Sequence, residues 1–134
     1  MITPFSALQQ IRGLIWQPAV RALVTGVYTG EIALTEFDRA TAAKEKFIAI
    51  NFLTTDFAQV QTGVLNMNIY CPDVSGIADG ESLDAVLLAV KPLLEDAYTN
   101  DLNTELGTLT ELKLDDKKYT VYNQRINVYA PNLL

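Results

Sequence analysis

Between Gly63 and Asp73 the side chains alternate. Leu65, Met67, Ile69 and Cys71 fall on one side of an extended strand, and Val64, Asn66, Asn68 and Tyr70 on the other. The first set reads as a core face. Pro72 has no N–H for a ladder, so the strand is expected to end there. Near the end of the chain the pattern almost repeats: Met67-Asn68-Ile69-Tyr70-Cys71-Pro72-Asp73 matches Ile126-Asn127-Val128-Tyr129-Ala130-Pro131-Asn132 class for class. The copy is too short and too distant for a solenoid repeat. Either two central strands obey the same rules, or both present an Asn–Tyr pair outward to one partner surface.

The rest of the chain divides in the same way. Thr3-Pro4 is a cap followed by a tolerated first-turn proline, and Phe5, Leu8, Ile11 and Ile15 repeat at helical spacing up to Trp16. A second short helix is expected from Pro18 through Leu23, closed by Gly26 in a left-handed conformation. Val27-Tyr28 reads as a short strand ended by Gly30. Thr35 to Lys46 mixes charges with alanines and fits a helical turn or a surface loop, the loop slightly better. Phe47 to Leu53 is apolar almost throughout, as in a central strand covered on both faces. Thr54 to Ala58, with Asp56, reads as a polar turn. The strand Val60 to Cys71 then returns antiparallel, with Gly63 marking a bulge or a close approach.

Ser82 is placed to cap a helix from Leu83 to Tyr98, kinked or broken at Pro92 and ended by Asn100. Thr108 to Leu114 and Tyr119 to Tyr129 read as two strands joined by Asp115-Asp116-Lys117-Lys118. In the last strand Tyr119, Val121, Asn123, Arg125, Asn127 and Tyr129 share one face. Tyrosine and arginine are enriched where one protein covers another. The element order predicts a single α+β domain over residues 1–134. Its sheet is expected to be mostly antiparallel with about four main strands, and the long helix and the N-terminal helix pack on one face.

Composition narrows the chemistry. The 134 residues are 49% hydrophobic and 19% charged, which fits a packed domain. Ten basic residues against sixteen acidic ones give a net charge of −6, and the cations are scattered, which argues against a surface that grips phosphates. The chain has no histidine, which removes the Ser–His and Cys–His dyads and the commonest zinc ligand. Cys71 stands alone on the core face and reads as a buried structural thiol. No signal-peptide pattern and no apolar run of about 18 residues is visible, so an intracellular, reducing setting without a membrane span is expected. No phosphate loop, dinucleotide fingerprint or nucleophile elbow occurs. The acidic set Asp73, Asp79, Glu81 and Asp84 invites a divalent-metal reading, but three of the four surround a helix start, where carboxylates complement the dipole.

One resemblance rests on these residues. Pro18-Ala19-Val20-Arg21-Ala22-Leu23-Val24 leads into Gly26-Val27-Tyr28. Ile48-Ala49-Ile50-Asn51, then Gly63 to Asn66, then the Asn-Ile-Tyr-x-Pro-Asp strand end follow, with a long helix and a C-terminal hairpin after them. This order resembles the small tail-terminator and tail-completion proteins of tailed bacteriophages, which join head to tail. The resemblance covers most of the chain as an order of elements through short motifs. It implies an α/β domain assembled into a ring, commonly a hexamer, capping the tail tube. It implies no enzymatic activity, catalytic residue, metal or cofactor. The expected partners are further copies of the chain, tail-tube proteins and neck or connector proteins. DNA would only pass through the lumen, no membrane is involved, and the location would be the virion after synthesis in the host cytoplasm. Asn68, Tyr70, Arg125, Asn127 and Tyr129, with Glu36, Asp38 and Arg39 of the charged segment, are the candidate contact residues. The alternatives are a small protein-binding adaptor using the same face, and a metal-dependent enzyme built on Asp73 to Asp84.

Overall fold

The computed structural model describes residues 3–30, 32–55, 62–99 and 102–130. In chain order the elements are α1 (Pro4–Ile15), α2 (Pro18–Arg21), β1 (Val27–Thr29), α3 (Leu34–Ala42), β2 (Phe47–Thr55), β3 (Thr62–Pro72), α4 (Gly80–Leu94), β4 (Asn103–Leu114) and β5 (Tyr119–Tyr129). The strands form one sheet in the order β1-β2-β3-β5-β4. β1 runs parallel to β2, and the other three neighbouring pairs are antiparallel. The fold is therefore helices on a mixed five-stranded sheet, in place of the expected mostly antiparallel sheet of four main strands. The reason lies in the charged segment after β1. Parallel neighbours need a crossover connection. The stretch that fits a helical turn or, slightly better, a loop is α3, which carries the chain from the end of β1 back to the start of β2. Its N-cap, Ala33, has no side-chain cap bond, and its buried residues are only Ala40 and Thr41, so its start is unmarked and its apolar face is narrow.

The main core lies on one sheet face. Ala7, Leu8, Ile11 and Ile15 of α1, Val20 of α2, and Leu83, Val86, Val90 and Leu94 of α4 pack with Ile48, Ile50, Leu65, Met67, Ile69, Cys71, Ile126 and Val128 of the sheet. Thr3 caps α1 through Ser6 N at 3.1 Å. Trp16 packs against this core from its rim, with the Arg12 and Arg21 guanidinium groups 5.5 and 5.4 Å from its ring. A second, smaller cluster of Ala40, Phe47 and Tyr119 lies on the opposite face, under α3. The start of β2 is thus covered on both sides.

Several boundaries differ from expectation. α4 is capped by Asp79 instead of Ser82: the Asp79 carboxylate accepts from Ser82 N at 3.2 Å and from the Ser82 hydroxyl at 2.7 Å. The helix passes through Pro92 unbroken and stops at Leu94: proline removes the single donor to the Leu88 carbonyl, and the ladder resumes with Glu95 N on the Lys91 carbonyl at 2.9 Å. Gly26 has no left-handed backbone; its carbonyl accepts from Ile48 N at 3.0 Å, and the positive-φ glycines among the described residues are Gly30 and Gly76. The irregularity assigned to Gly63 sits across the ladder, where the register slips between Phe52 and Thr54. β4 starts at Asn103, five positions before the predicted Thr108, because a second register slip between Leu106 and Leu109 interrupts its alternation. Asp56, Ala58, Val60, Asn100, Pro131 and Asn132 lie outside the described residues. Among those described, no helix is long and apolar enough to cross a membrane.

Candidate functional site

The face opposite the main core is built by the second set of alternating residues. Register places Phe47, Tyr70, Val121 and Leu112 in one row across β2, β3, β5 and β4. Ala49, Asn68, Asn123 and Thr110 form the next row, Asn51, Asn66 and Arg125 a third, and Val64, Asn127 and Glu105 a fourth. α3 covers the end that holds the first row. There Phe47 and Tyr70 stack with centroids 4.6 Å apart, and Phe37 of α3 meets both edge-on. Tyr119 donates its hydroxyl to the Glu45 carbonyl at 2.7 Å, and burial pushes that hydroxyl up to about 12.

Surface ion pairs hold the α3 end in place. Arg39 Nη2 lies 2.6 Å from Glu36 Oε1 and Arg39 Nη1 lies 3.0 Å from Glu45 Oε2, while the Tyr28 hydroxyl donates to Glu36 at 2.8 Å. The Arg39 bonds, with help from Tyr28, lower the Glu36 carboxyl to about 2. Lys117, from the turn between β4 and β5, reaches Asp38 at 2.8 Å.

The other half of the face is open and carries amides. Asn123 donates through Nδ2 to Asn68 Oδ1 at 2.6 Å and to Asn66 Oδ1 at 3.1 Å, and Asn66 Nδ2 reaches Asn51 Oδ1 at 3.4 Å. Four asparagines from three adjacent strands therefore form one chain of amides. Arg125 stands beside them, exposed and with no hydrogen-bond or ion-pair partner among the described residues. Behind it, the buried Gln124 amide donates to the Gly107 and Arg125 carbonyls, both at 2.9 Å, satisfying the slip in β4.

The candidate contact residues fall into three environments. Asn68, Arg125 and Asn127 lie together on the open half. Tyr70 shares their face but is packed beneath α3, and Glu36, Asp38 and Arg39 are tied into ion pairs within the chain. Tyr129 sits at the far end beside a cleft of about 280 Å³ shared with Asp96, Tyr98, Asn103, Thr104 and Glu105. Asn51, Asn66 and Asn123 complete the amide chain, although the sequence reading did not single them out. Phase sets Asn51 on the side of Phe47 and Ala49, but that this is the face of Asn66 and Asn68 follows only from the pairing of β2 with β3.

The acidic set does not converge. Asp73 accepts from Thr120 at 2.7 Å and pairs with Lys113 at 2.9 Å, Asp79 caps α4, and Asp84 accepts from Tyr122 at 3.2 Å. No group of three or more acidic, cysteine or histidine side chains among the described residues is placed to hold a metal ion. The Cys71 thiol is buried, and that burial pushes it up to about 11, far from a nucleophile at neutral pH. No protein-family model matches the chain, and no curated protein matches it.

Proposed function

We propose that this chain is a structural subunit of a tailed bacteriophage that assembles into a ring at the head–tail junction or at the end of the tail tube. The observation that carries this reading is the open half of the second face. Its amide chain and unpaired Arg125 offer donors and acceptors, fixed on three long strands, to a flat partner surface. Rigid strands hold such a contact more accurately than loops do. The order of elements that resembles tail-terminator proteins and the acidic balance, suited to a channel through which DNA slides, support the same reading.

Copies would meet around a closed axis, with the amide face of each subunit against a different surface of the next. The test is the mass in solution by light scattering, with negative-stain images of the same sample and of purified tail tubes mixed with the protein. Rings of about six subunits with a central hole, free or on tube ends, are the expected result. Arg125→Glu should abolish them while leaving the melting temperature of the dilute, unassembled chain unchanged. A protein that stays monomeric and decorates no tube end overturns the proposal and moves the amide face to an adaptor role.

A further inference from the structure

The two edges of the sheet are treated differently. At the β1 edge, Arg12 Nε donates to the Val27 carbonyl at 3.0 Å and Gln9 Nε2 to Thr29 Oγ1 at 3.2 Å, so side chains of α1 block it. At the opposite edge, among the described residues β4 is covered only near its start, where Thr104 N donates to the Ala97 carbonyl at 2.8 Å. From Gly107 to Lys113 it is exposed residue after residue, on both faces. The ladder fixes where its backbone groups point. Pro72, without an N–H, lies opposite Tyr119, and Asp73 N donates to the Lys118 carbonyl at 2.9 Å. Even-numbered residues of β5 therefore bond to β3 and odd-numbered ones to β4. Tyr119 pairs with Leu114 and Val121 with Leu112. The backbone groups of Leu109, Glu111 and Lys113 consequently point away from the sheet, with no partner among the described residues.

The geometry points to an antiparallel contact between this edge and the same edge of a second copy, centred on Leu112. Opposed residues in an antiparallel pair both point inward or both point outward, and a two-fold contact makes the pairing reciprocal. Centring on Glu111 or Lys113 sets like charges opposite each other. Centring on Leu112 sets Glu111 of each copy against Lys113 of the other, and Leu112 against its own counterpart. Leu112 is 48% exposed in the single chain and becomes covered. Lys113 already donates to Asp73 at 2.9 Å, and an ammonium has donors to spare for a second carboxylate. Because α1 blocks the β1 edge, the sheet cannot continue head to tail into an open array. The contact closes after two copies, so it joins two subunits, or two rings, whether or not the ring proposal stands.

Leu112→Cys tests the register. The two cysteines would form a non-hydrogen-bonded pair with Cα atoms about 4.5 Å apart, within reach of a disulfide, and Cys71 is buried. Under mild oxidant, Leu112→Cys should cross-link at least about tenfold more than Leu109→Cys, which faces Asp115 in this register. Glu111→Pro removes an outward N–H that has no role within the chain. It should abolish the concentration-dependent dimer in sedimentation while leaving the melting temperature unchanged at dilutions where the wild type is monomeric. Equal cross-linking at both positions, pairing of two subunits or of two rings that survives Glu111→Pro, or the absence of any such pairing in the wild type at every concentration overturns the inference. Rings that persist in Glu111→Pro separate this contact from the ring contact.

Discussion

β3 presents both sides of the molecule in alternate residues. Leu65, Met67 and Ile69 are wholly inaccessible beneath α1 and α4, whereas Asn66, Asn68 and Tyr70, one residue away each, stay partly open. The first face is a continuous apolar layer sealed by three helices. The second is divided: an aromatic end lies under one short helix held by ion pairs, and an amide-lined end has no cover among the described residues. Stability is concentrated on the first face and on the aromatic end of the second. The amide end is where a change should alter assembly without unfolding the chain.

The largest separation is expected between neighbours on β3. Met67→Ala removes a fully buried side chain from the close-packed face and should cost about 2–5 kcal/mol. Asn68→Ala removes one acceptor from a partly exposed amide chain in which Asn66 still receives Asn123, and should cost less than about 1 kcal/mol. Urea unfolding of the two variants measures both. A similar loss from each would mean that the amide face is sealed as tightly as the core.

The aromatic end lies between these extremes. Tyr119→Phe keeps the ring but leaves the Glu45 carbonyl without its 2.7 Å donor, which should cost about 1–3 kcal/mol in the same assay. The hydroxyl also makes the wild type sensitive to alkali. Its folded value is raised from 10.0 to about 12, so the neutral form is favoured by folding. That contribution is complete below pH 10 and is lost as pH rises toward 12, a loss the phenylalanine variant should not share. Identical alkaline profiles for the two proteins would remove Tyr119 as the cause.

The first face was legible because burial forces strict alternation, and Leu65 through Cys71 and Ile126 through Ala130 obey it without exception. The hairpin of β4 and β5 was legible from its four-residue turn. α3 was not, because its alanines and charges serve a small aromatic patch instead of a stripe, and its helix start carries no capping side chain. With α3 hidden, the parallel pairing of β1 and β2 was hidden too. For the candidate site, Asn68, Arg125 and Asn127 could be read from phase alone. The joining of Asn51 to them depends on strand order, which no local pattern encodes. Nor does spacing show that Tyr70 would be covered and Glu36, Asp38 and Arg39 tied to partners within the chain.

The smallest effect separates the two ends of the second face by pH. Glu36 clamps α3 through Arg39 and Tyr28, and its folded value falls from 4.5 to about 2. A depressed carboxyl stabilises the fold above its unfolded value and loses that contribution as pH falls through the folded one. The clamp is therefore intact at neutral pH, weakens below pH 4.5 and is spent near pH 2. Glu45, Asp73 and Asp79 are also lowered and add to the acid sensitivity of the whole chain. Glu36→Gln isolates the clamp, since the wild type should exceed the variant in stability at neutral pH and the two curves should converge toward pH 2. Screening by salt should shrink the gap, because the pair lies at the surface. A gap that stays constant down to pH 2 would assign the difference to packing of the side chain and remove the Glu36 charge from what holds α3.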